Sequence, residues 1–299
     1  MAYTEIKKKH KNLYYYRAKS IRKGKSVGKK RIYMGRNMNK KQLRKAEQQA
    51  DNHLISLKNV LNEKELKDLE KIKKAYLKEP KENHENRYET FCVLFTYNST
   101  AIEGNTLTLQ ETAHLLFNNI PPSKSMREIN ETLNHKEAFD FLLQHKADID
   151  KKFILNLHKL VVKNTLKPEL ESQIGKYRNI QVYIRGSTII PSKPRDIPKE
   201  MKSLLLWYSR NKSTIHPLVL AAYIHGIFEM IHPFVDGNGR VGRLLINFIL
   251  HKHNYLMLNI PNTKKLQYYE ALQKMQEKGD VRALTIFLIE MLKEEKIRL

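Results

Sequence analysis

One stretch of twelve residues, 232–243, constrains this chain more than any other: it reads His-Pro-Phe-Val-Asp-Gly-Asn-Gly-Arg-Val-Gly-Arg. It follows an apolar run, Leu218 to Ile231, whose spacing predicts a helix, and it leads into a second apolar run, Leu244 to Leu250. Its glycines permit backbone conformations that other residues rarely adopt, and free N–H groups at a helix start attract anions. The sequence therefore predicts a tight loop that opens a helix and receives a negatively charged ligand.

The side chains of this stretch are typical of phosphate chemistry. Arg240 and Arg243 are three residues apart and share one face of the predicted helix, where their guanidinium groups can bind phosphate oxygens. Asp236 offers the hard oxygen ligand that Mg²⁺ prefers, and His232 can accept a proton near neutral pH. This set predicts a nucleotide-phosphate site with a hydroxyl to be activated beside it.

A second pattern inside the stretch is the dinucleotide fingerprint G-x-G-x-x-G, at residues 237–242. That fingerprint requires a strand before it and an acidic residue about 20 positions later. The segment before it has the periodicity of a helix, so a Rossmann-type site is not predicted. A P-loop is excluded as well, because no Gly-Lys-Ser/Thr follows.

The twelve residues resemble the signature of the Fic family, His-Pro-Phe-x-Asp/Glu-Gly-Asn-Gly-Arg-x-x-Arg, and match it at all nine defined positions. The resemblance extends from about residue 91 to about residue 287 and does not cover the first 80 or so residues well. It implies a mainly α fold, a Fic-type helical bundle with a small β-hairpin flap. It also implies a protein adenylyltransferase, which moves AMP from ATP to a Ser, Thr or Tyr hydroxyl of a target protein.

The resemblance assigns a role to each signature residue. His232 is the catalytic base that takes the hydroxyl proton, and Asp236 holds Mg²⁺ between the α- and β-phosphates. The loop N–H groups and an amide cradle the α-phosphate, the first arginine reaches the β-phosphate and the second the γ-phosphate. The nucleotide-phosphate binding residues are Gly237, Asn238, Gly239, Arg240 and Arg243.

An inhibitory motif is predicted before the core. Ser99 and Glu103 are i,i+4 neighbours near the end of a predicted helix over 88–102, and Gly104 fits its C-cap. Alone, such a glutamate is typical of an exposed helix end. Beside the signature, it resembles the Ser/Thr-x-x-x-Glu-Gly/Asn motif of Fic proteins inhibited from an N-terminal helix. There the glutamate pairs with the second signature arginine, here Arg243, and competes with the γ-phosphate, so that the α-phosphate is misaligned.

A short β-hairpin is predicted across residues 182–190, where apolar residues flank a Gly-Ser pair and prolines follow. In Fic proteins such a hairpin, the flap, aligns the target segment by strand pairing, which requires exposed main chain. The residues alone are equally compatible with a surface hairpin that has no role. The resemblance assigns target docking to Val182, Tyr183, Ile184 and Arg185.

Variants of the reaction stay open within the resemblance. Glu103 can orient a water and, with His232, remove AMP, which would make the protein a de-AMPylase. Other Fic proteins transfer phosphocholine, UMP or phosphate. Phosphate transfer accompanies an altered signature, which the intact Gly-Asn-Gly-Arg at 237–240 argues against.

Charge is distributed unevenly along the chain. The formal net charge is +24, and residues 1–50 hold 17 Lys and Arg against 2 acidic residues. Two strands of a basic hairpin are predicted, over 13–17 and 31–34. Tyrosines among basic residues can stack on bases, so residues 1–45 are a possible nucleic-acid site; the alternative is a solvated arm whose tyrosines pack a small sheet. The rival to an enzyme is therefore a nucleic-acid-binding regulator in which the Fic fold is ancillary.

The predicted organisation has three parts: a basic β-hairpin segment (1–38), a helical arm (39–87) and a Fic domain (88–299). A single cysteine, Cys92, excludes an internal disulfide and a Cys-based zinc site. His225 and His232 are seven residues apart on one face of the predicted helix, but no third zinc ligand lies at a suitable spacing. His225 is therefore predicted to be a packed, hydrogen-bonded histidine. The lysine-rich start does not resemble a signal peptide and no apolar run is long enough to span a bilayer, which predicts a cytoplasmic protein without a membrane partner. A homodimer, which Fic proteins often form, stays open.

Overall fold

The computed structural model describes residues 2–10, 12–23, 26–54, 57–184 and 189–296, and they are mainly α-helical. An antiparallel sheet comes first and consists of β1 (Ala2–Lys9), β2 (Asn12–Lys23) and β3 (Ser26–Arg36). The helices that follow are α1 (Lys40–Leu54), α2 (Glu63–Leu77), α3 (His84–Ala101), α4 (Leu109–Phe117), α5 (Met126–Gln144), α6 (Lys151–Val162), α7 (Ile197–Asn211), α8 (Pro217–Ile231), α9 (Asn238–Lys252), α10 (Lys265–Lys278) and α11 (Val281–Lys296). The mainly α fold class that the sequence predicts is confirmed.

The N-terminal sheet has one strand more than the sequence predicts. The two predicted strands lie within β2 and β3, and β1 pairs with the other edge of β2, with Lys7 opposite Tyr14. Helix α1 covers one face of the sheet, where Thr4 and Arg17 contact Glu47 and where Tyr15 is buried. Because alternate residues of a strand point to opposite faces, the tyrosines at 14, 16 and 33 lie on the other face.

The predicted helical arm divides between two packing partners. Helix α1 belongs with the sheet, whereas α2 packs on α11 and buries Leu69 and Ile72 in the main core. Arg282 of α11 reinforces this contact by donating to Glu65 at 2.7 Å. Asn62 caps α2 and forms a reciprocal capping box with Glu65, a feature that stabilises a helix by about 1 kcal/mol.

Helices α8 and α9 form the centre of the helical body. Most residues of both helices are buried: α8 is apolar on nearly all sides, whereas α9 also buries polar residues, among them Arg240 and Arg243. Helix α8 packs on α7, α10 and α11, and α9 packs on α3, α5 and α6. The loop that joins α8 to α9 is therefore anchored at both ends in the most buried part of the molecule. No described helix combines the length and the apolar character that a membrane span requires.

The segment predicted to form the flap hairpin is irregular over its described part, which corrects the sequence expectation. Residues 181–184 and 189–193 lie in no strand. The side-chain amide of Gln181 donates to the main-chain carbonyls of Val182 (3.2 Å) and Pro191 (3.3 Å). A two-stranded hairpin without further strands is marginal in water. Residues 185–188, the predicted turn with Arg185, lie outside the described residues.

Candidate active site

The loop between α8 and α9, residues 232–237, is called the signature loop below. His232 ends α8 in the left-handed conformation (φ +50°), and Gly237 precedes α9 with φ +79°. The amide of Asn238 closes the loop, because it accepts from Phe234 N and donates to Phe234 O, both at 2.9 Å. The Phe234 ring stacks on His158 with 3.8 Å between ring centroids. The shape of the loop is therefore set by contacts of the protein with itself.

The first turn of α9 forms an anion site. No side chain caps this helix, and a carboxylate lies over it: a Cβ at Gly239 would come within 2.2 Å of Oε1 of Glu103. Unpaired N–H groups and the helix dipole make such a terminus attractive to negative charge. Because glycine has no side chain, position 239 leaves space for the Glu103 carboxylate.

Glu103 is held there by Arg243, as the sequence predicts. Nη2 of Arg243 donates to Oε1 of Glu103 at 2.8 Å and to the Ser99 carbonyl at 2.6 Å, while its Nε donates to Oγ of Ser99 at 3.0 Å. The guanidinium is buried, which by itself lowers its pKa, but the charge and hydrogen bond of Glu103 together with Tyr268 and Tyr269 outweigh burial and raise the pKa above its ordinary value. Arg243 is thus charged and bonded to both residues of the predicted inhibitory motif.

Arg240 differs from Arg243 in having donors without partners. Its side chain is buried, with Nη2 donating to Oδ1 of Asp236 at 3.2 Å and Nη1 at 3.6 Å from Oε1 of Glu131. Nε and Nη1 have no hydrogen-bond partner among the described residues. Because buried donors are nearly always paired, this guanidinium is suited to a further acceptor, such as a phosphate oxygen.

Asp236 belongs to a network of charges that reaches α5. Oδ1 accepts from Gly237 N at 2.6 Å, and Oδ2 lies 3.4 Å from Nη2 of Arg127. Arg127 also donates to Glu131 at 3.2 Å. Burial raises the pKa of Asp236, but Arg240, the Gly237 N–H and Arg127 together lower it by more than burial raises it. The pKa is therefore below its ordinary value, and the carboxylate is ionised.

His232 faces a second buried carboxylate, which the sequence analysis did not identify. Nδ1 of His232 lies 3.5 Å from Oε2 of Glu229, one turn earlier on α8. Burial raises the pKa of Glu229, but His232, His225 and Arg243 outweigh it and the pKa is lowered, so Glu229 is an anion. An anion beside Nδ1 favours the proton on that nitrogen and leaves Nε2 as the atom that can accept another.

His225 is a packed histidine, as predicted. Its Nε2 lies 2.7 Å from the Tyr268 hydroxyl, and burial lowers its pKa to about 4. Among the described residues, no three His, Cys, Asp or Glu side chains gather in a way that could hold a metal ion. Asp236 alone still fits Mg²⁺, since that ion usually keeps several waters and binds one or two carboxylates together with substrate phosphates.

The structure brings most of the predicted site residues together. Ser99 and Glu103, from the end of α3, meet Arg243 on α9, and the signature loop lies beside them. Val182, Tyr183 and Ile184 are described but irregular, and Tyr183 is 80% exposed. Sequence reasoning missed Arg127, Glu131 and Glu229, because an i,i+4 or i,i+3 pair of charges on a helix is also typical of an ordinary surface.

Comparison with known families and relatives agrees with this geometry. Residues 148–250 match the family model described as Fic/DOC family. Proteins named protein adenylyltransferase Fic from Drosophila melanogaster and Drosophila persimilis are 38% and 36% identical over 197 residues, 64% of this chain. Those residues are 39% and 37% of the two relatives, so the chain spans less than half the length of the curated relatives it matches.

Solved structures extend the likeness over most of the chain. A Fic domain containing signaling protein from Bacteroides thetaiotaomicron has a TM-score of 0.71 at 26% identity, covering 78% of this chain and 95% of that one. Fic-1 from C. elegans has a TM-score of 0.68 at 28% identity, covering 79% of this chain and 70% of that one.

Proposed function

Because residues 148–250 match the Fic/DOC family model, we propose that this chain transfers AMP from ATP to a hydroxyl of a target protein and that Glu103 restrains the transfer. The observation that carries the proposal is the convergence on one loop of a base, an uncapped helix N-terminus and two buried guanidinium groups. These are the groups that a triphosphate and an acceptor hydroxyl require when they react side by side.

In the proposed reaction, a Ser, Thr or Tyr hydroxyl oxygen attacks the α-phosphorus of ATP. The new O–P bond forms as the bond from the α-phosphorus to the bridging oxygen breaks, and pyrophosphate leaves. The hydroxyl proton passes to Nε2 of His232, while Glu229 stabilises the resulting imidazolium from the Nδ1 side, 3.5 Å away. General-base catalysis of this kind contributes about 10²–10⁴-fold in rate.

The triphosphate is proposed to bind at the N-terminus of α9, against the N–H groups of its first turn. The N–H groups of Gly237 to Arg240 bind the α-phosphate, that of Gly237 by exchanging its bond to Oδ1 of Asp236. The Arg240 side chain binds the β-phosphate and that of Arg243 the γ-phosphate. Two unpaired donors on buried Arg240 support this assignment. The Asn238 side chain itself bonds to Phe234, so its proposed role is to shape the loop and present the N–H groups.

Mg²⁺ is the proposed metal, and Asp236 is the residue that would hold it. When bound, the ion would offset the negative charge of the leaving pyrophosphate. Arg127 contacts the same carboxylate from the outer side, where its side chain is 57% exposed and can move aside. The lowered pKa of Asp236 keeps the ligand oxygen ionised at neutral pH.

Inhibition is proposed to arise because Glu103 occupies the anion site that the γ-phosphate needs. A carboxylate bonded to Arg243 at 2.8 Å and lying over Gly239 excludes a phosphate from the same donors. ATP would then bind with its α-phosphate out of line with the hydroxyl, and misplacement of about 1 Å can cost 10²-fold in rate. Val182, Tyr183, Ile184 and Arg185 are proposed to dock the target segment, with exposed main chain as the pairing edge.

The test is transfer of label from α-³²P-ATP in the presence of Mg²⁺. We expect Glu103→Gly to raise self-labelling about ten-fold or more, since a charge-assisted hydrogen bond contributes about 1.5–3 kcal/mol. The double variant with His232→Ala should lose the label and still bind ATP. Glu290→Gln, an exposed glutamate on α11, is the matched control and should label as wild type does.

Two outcomes would contradict this proposal. Equal or weaker labelling by folded Glu103→Gly would remove the inhibitory role of Glu103. If no variant labels while ATP binds, and wild type releases AMP from AMP-modified proteins, the protein is a de-AMPylase that uses Glu103 and His232.

A second candidate function, nucleic-acid binding, is favoured by the face of the N-terminal sheet opposite α1. The Tyr33 ring lies 6.4 Å from that of Tyr14 and 5.3 Å from that of Tyr16, and Nζ of Lys7 lies 5.5 Å from the Tyr16 ring. Tyr33 is 54% exposed, and Arg36 beside it is also exposed. Aromatic rings among cations on a sheet face are suited to stacking single-stranded bases, which contributes about 1–3 kcal/mol per base.

Gel retardation of single-stranded oligonucleotides tests this candidate. At about 50 mM salt we expect binding that weakens steeply as salt is added, because phosphate contacts release counterions. Tyr33→Leu should weaken binding about ten-fold or more, whereas Lys71→Ala on the exposed side of α2 should not. Absence of retardation by the full chain at low salt would exclude nucleic-acid binding.

A further inference from the structure

Arg178 is a buried arginine that lies in no helix or strand and that the proposed reaction does not yet use. Its Nε donates to the carbonyl of His232 at 2.8 Å, and its main-chain N–H donates to the carbonyl of Pro233 at 2.9 Å. On its other side, Nη1 donates to the carbonyl of Ile180 at 2.8 Å and Nη2 to that of Ser192 at 2.5 Å. One residue therefore bonds to the signature loop and to both ends of the stretch described as residues 180–184 and 189–192, which contains the proposed docking residues 182–184 and is called the docking segment below.

Among the described residues, the acceptors of Arg178 are all main-chain oxygens. No ion pair to its guanidinium is present among the described residues, although only 2% of the residue is exposed. A buried charge is costly unless its donors are satisfied, so carbonyls from three places in the chain must remain near it. The planar fork of arginine can reach several acceptors at fixed angles, which the single nitrogen of lysine cannot.

Arg178 bonds to the signature loop at and after His232, a residue whose backbone conformation is strained. His232 has φ +50°, and a left-handed conformation costs a residue with a side chain about 1–2 kcal/mol. Such a conformation persists only where its surroundings determine it. Arg178 bonds to the carbonyls of His232 and Pro233, so it fixes the two peptide groups that follow the strained residue His232.

We propose that Arg178 is a positioning residue that ties the docking segment to the main chain of His232, so that one side chain sets both the acceptor and the base. This inference rests on the proposed transfer of AMP. It assigns to Arg178 no contact with ATP or with the reacting atoms. Its loss should therefore lower turnover without weakening nucleotide binding.

The first test compares Arg178→Lys and Arg178→Gln, each in the Glu103→Gly background, with Arg195→Lys as the matched control. Arg195 lies just beyond the docking segment and its side chain is 79% exposed. We expect kcat of self-labelling at saturating ATP to fall about 10- to 100-fold in both Arg178 variants, as for a misplacement of about 1 Å. The Kd of ATP should stay within about two-fold, and Arg195→Lys should match its parent.

A second measurement separates this inference from the proposed reaction. Hydrogen exchange is followed at the amides of residues 179–184, 189, 190 and 192 and of residues 232, 234 and 235, in the absence of nucleotide. If Arg178 ties the two stretches together, both should exchange faster in Arg178→Gln, and neither in Arg195→Lys. This result does not depend on activity, so it stands even if no variant transfers AMP.

Two results would overturn the inference. One is faster exchange in only one of the two stretches, because a tie must release both. The other is unchanged kcat in a folded Arg178→Gln variant whose parent is active. A loss of thermal stability with kcat and exchange unchanged would likewise mean that Arg178 only stabilises the fold.

Discussion

The signature loop and the docking segment lie side by side and are built in opposite ways. In the signature loop, side chains form hydrogen bonds to the main chain: Asn238 bonds to Phe234, and Arg178 bonds to His232. In the docking segment, apolar side chains such as Tyr183 (80% exposed) and Ile190 (75% exposed) face solvent, and no strand forms over its described residues.

This difference follows from what each part must do in the proposed reaction. A base and an anion site work best when they are fixed before the substrate arrives, because then no reorganisation is needed in the transition state. A surface that pairs with another chain needs unpaired main chain instead. Substitutions in the loop should therefore change catalysis and stability, and substitutions in the segment should change acceptor use alone.

The largest effect is expected from His232→Ala in the Glu103→Gly background. Removal of the base should lower transfer of AMP about 10²–10⁴-fold while ATP binding is kept, measured by labelling and by titration calorimetry. His114→Ala, an exposed histidine on α4, is the control and should leave the rate unchanged. Transfer above about 1% of the parent would mean that another group, such as Glu229 acting through water, serves as the base.

Gly237→Ala should destabilise the whole protein. Position 237 has φ +79°, and a Cβ there would come within 2.8 Å of Cγ1 of Val162. Left-handed strain and overpacking together should lower the free energy of unfolding by about 2–4 kcal/mol in urea titrations. Gly104→Ala is the matched control: it also has positive φ but meets nothing within 4 Å, so it should cost less. Equal losses at the two positions would mean that contact with α6 does not constrain the loop.

The signature and its partners could be predicted because short-range spacing carries the information. Positions 240 and 243 share a helix face, and Ser99 and Glu103 lie one turn apart on another helix, so a match to both motifs was enough to predict the contact with Arg243. The pattern of glycines at 237, 239 and 242 was correctly separated from a dinucleotide site. The structure adds the reason for the third glycine: a Cβ at 242 would lie 2.6 Å from both Glu229 and His225 of α8.

The parts that could not be predicted depend on distant segments. Arg178 lies 54 residues from His232, and nothing near it in the sequence indicates which carbonyls it would meet. Strand β1 was not predicted because its run of lysines is typical of a solvated arm. It is a strand because it pairs with β2, and this pairing cannot be deduced from the composition of β1 alone. For the docking segment, the alternation of apolar residues predicted strands, but a hairpin of two strands alone is marginal in water and no strand forms over the described residues.

Tyr183→Ala should show most clearly that the docking segment, unlike the signature loop, affects labelling without affecting stability. Its side chain is largely exposed, so the free energy of unfolding should change by less than about 0.5 kcal/mol. If the segment docks an acceptor, the rate of self-labelling in the Glu103→Gly background should fall about three- to five-fold, as for loss of about 1 kcal/mol of contact. Leu266→Ala, an equally exposed apolar residue on α10, should not change it. A change in unfolding without a change in labelling would assign Tyr183 to the fold instead.

The smallest effect concerns the start of α5, the helix that brings Arg127 and Glu131 to the signature loop. Glu128 accepts from the hydroxyls of Ser125 (2.6 Å) and Thr106 (2.7 Å), and these bonds lower its pKa from 4.5 to about 2. A lowered pKa means that the folded state prefers the ionised form, so this stabilisation is present above about pH 4.5 and is lost as pH falls toward 2. Because the carboxylate is exposed, the effect should be below about 1 kcal/mol. Glu128→Gln should therefore flatten the pH dependence of unfolding between these limits, and Glu290→Gln should not; an identical acid dependence in both variants would contradict this role of the α5 cap.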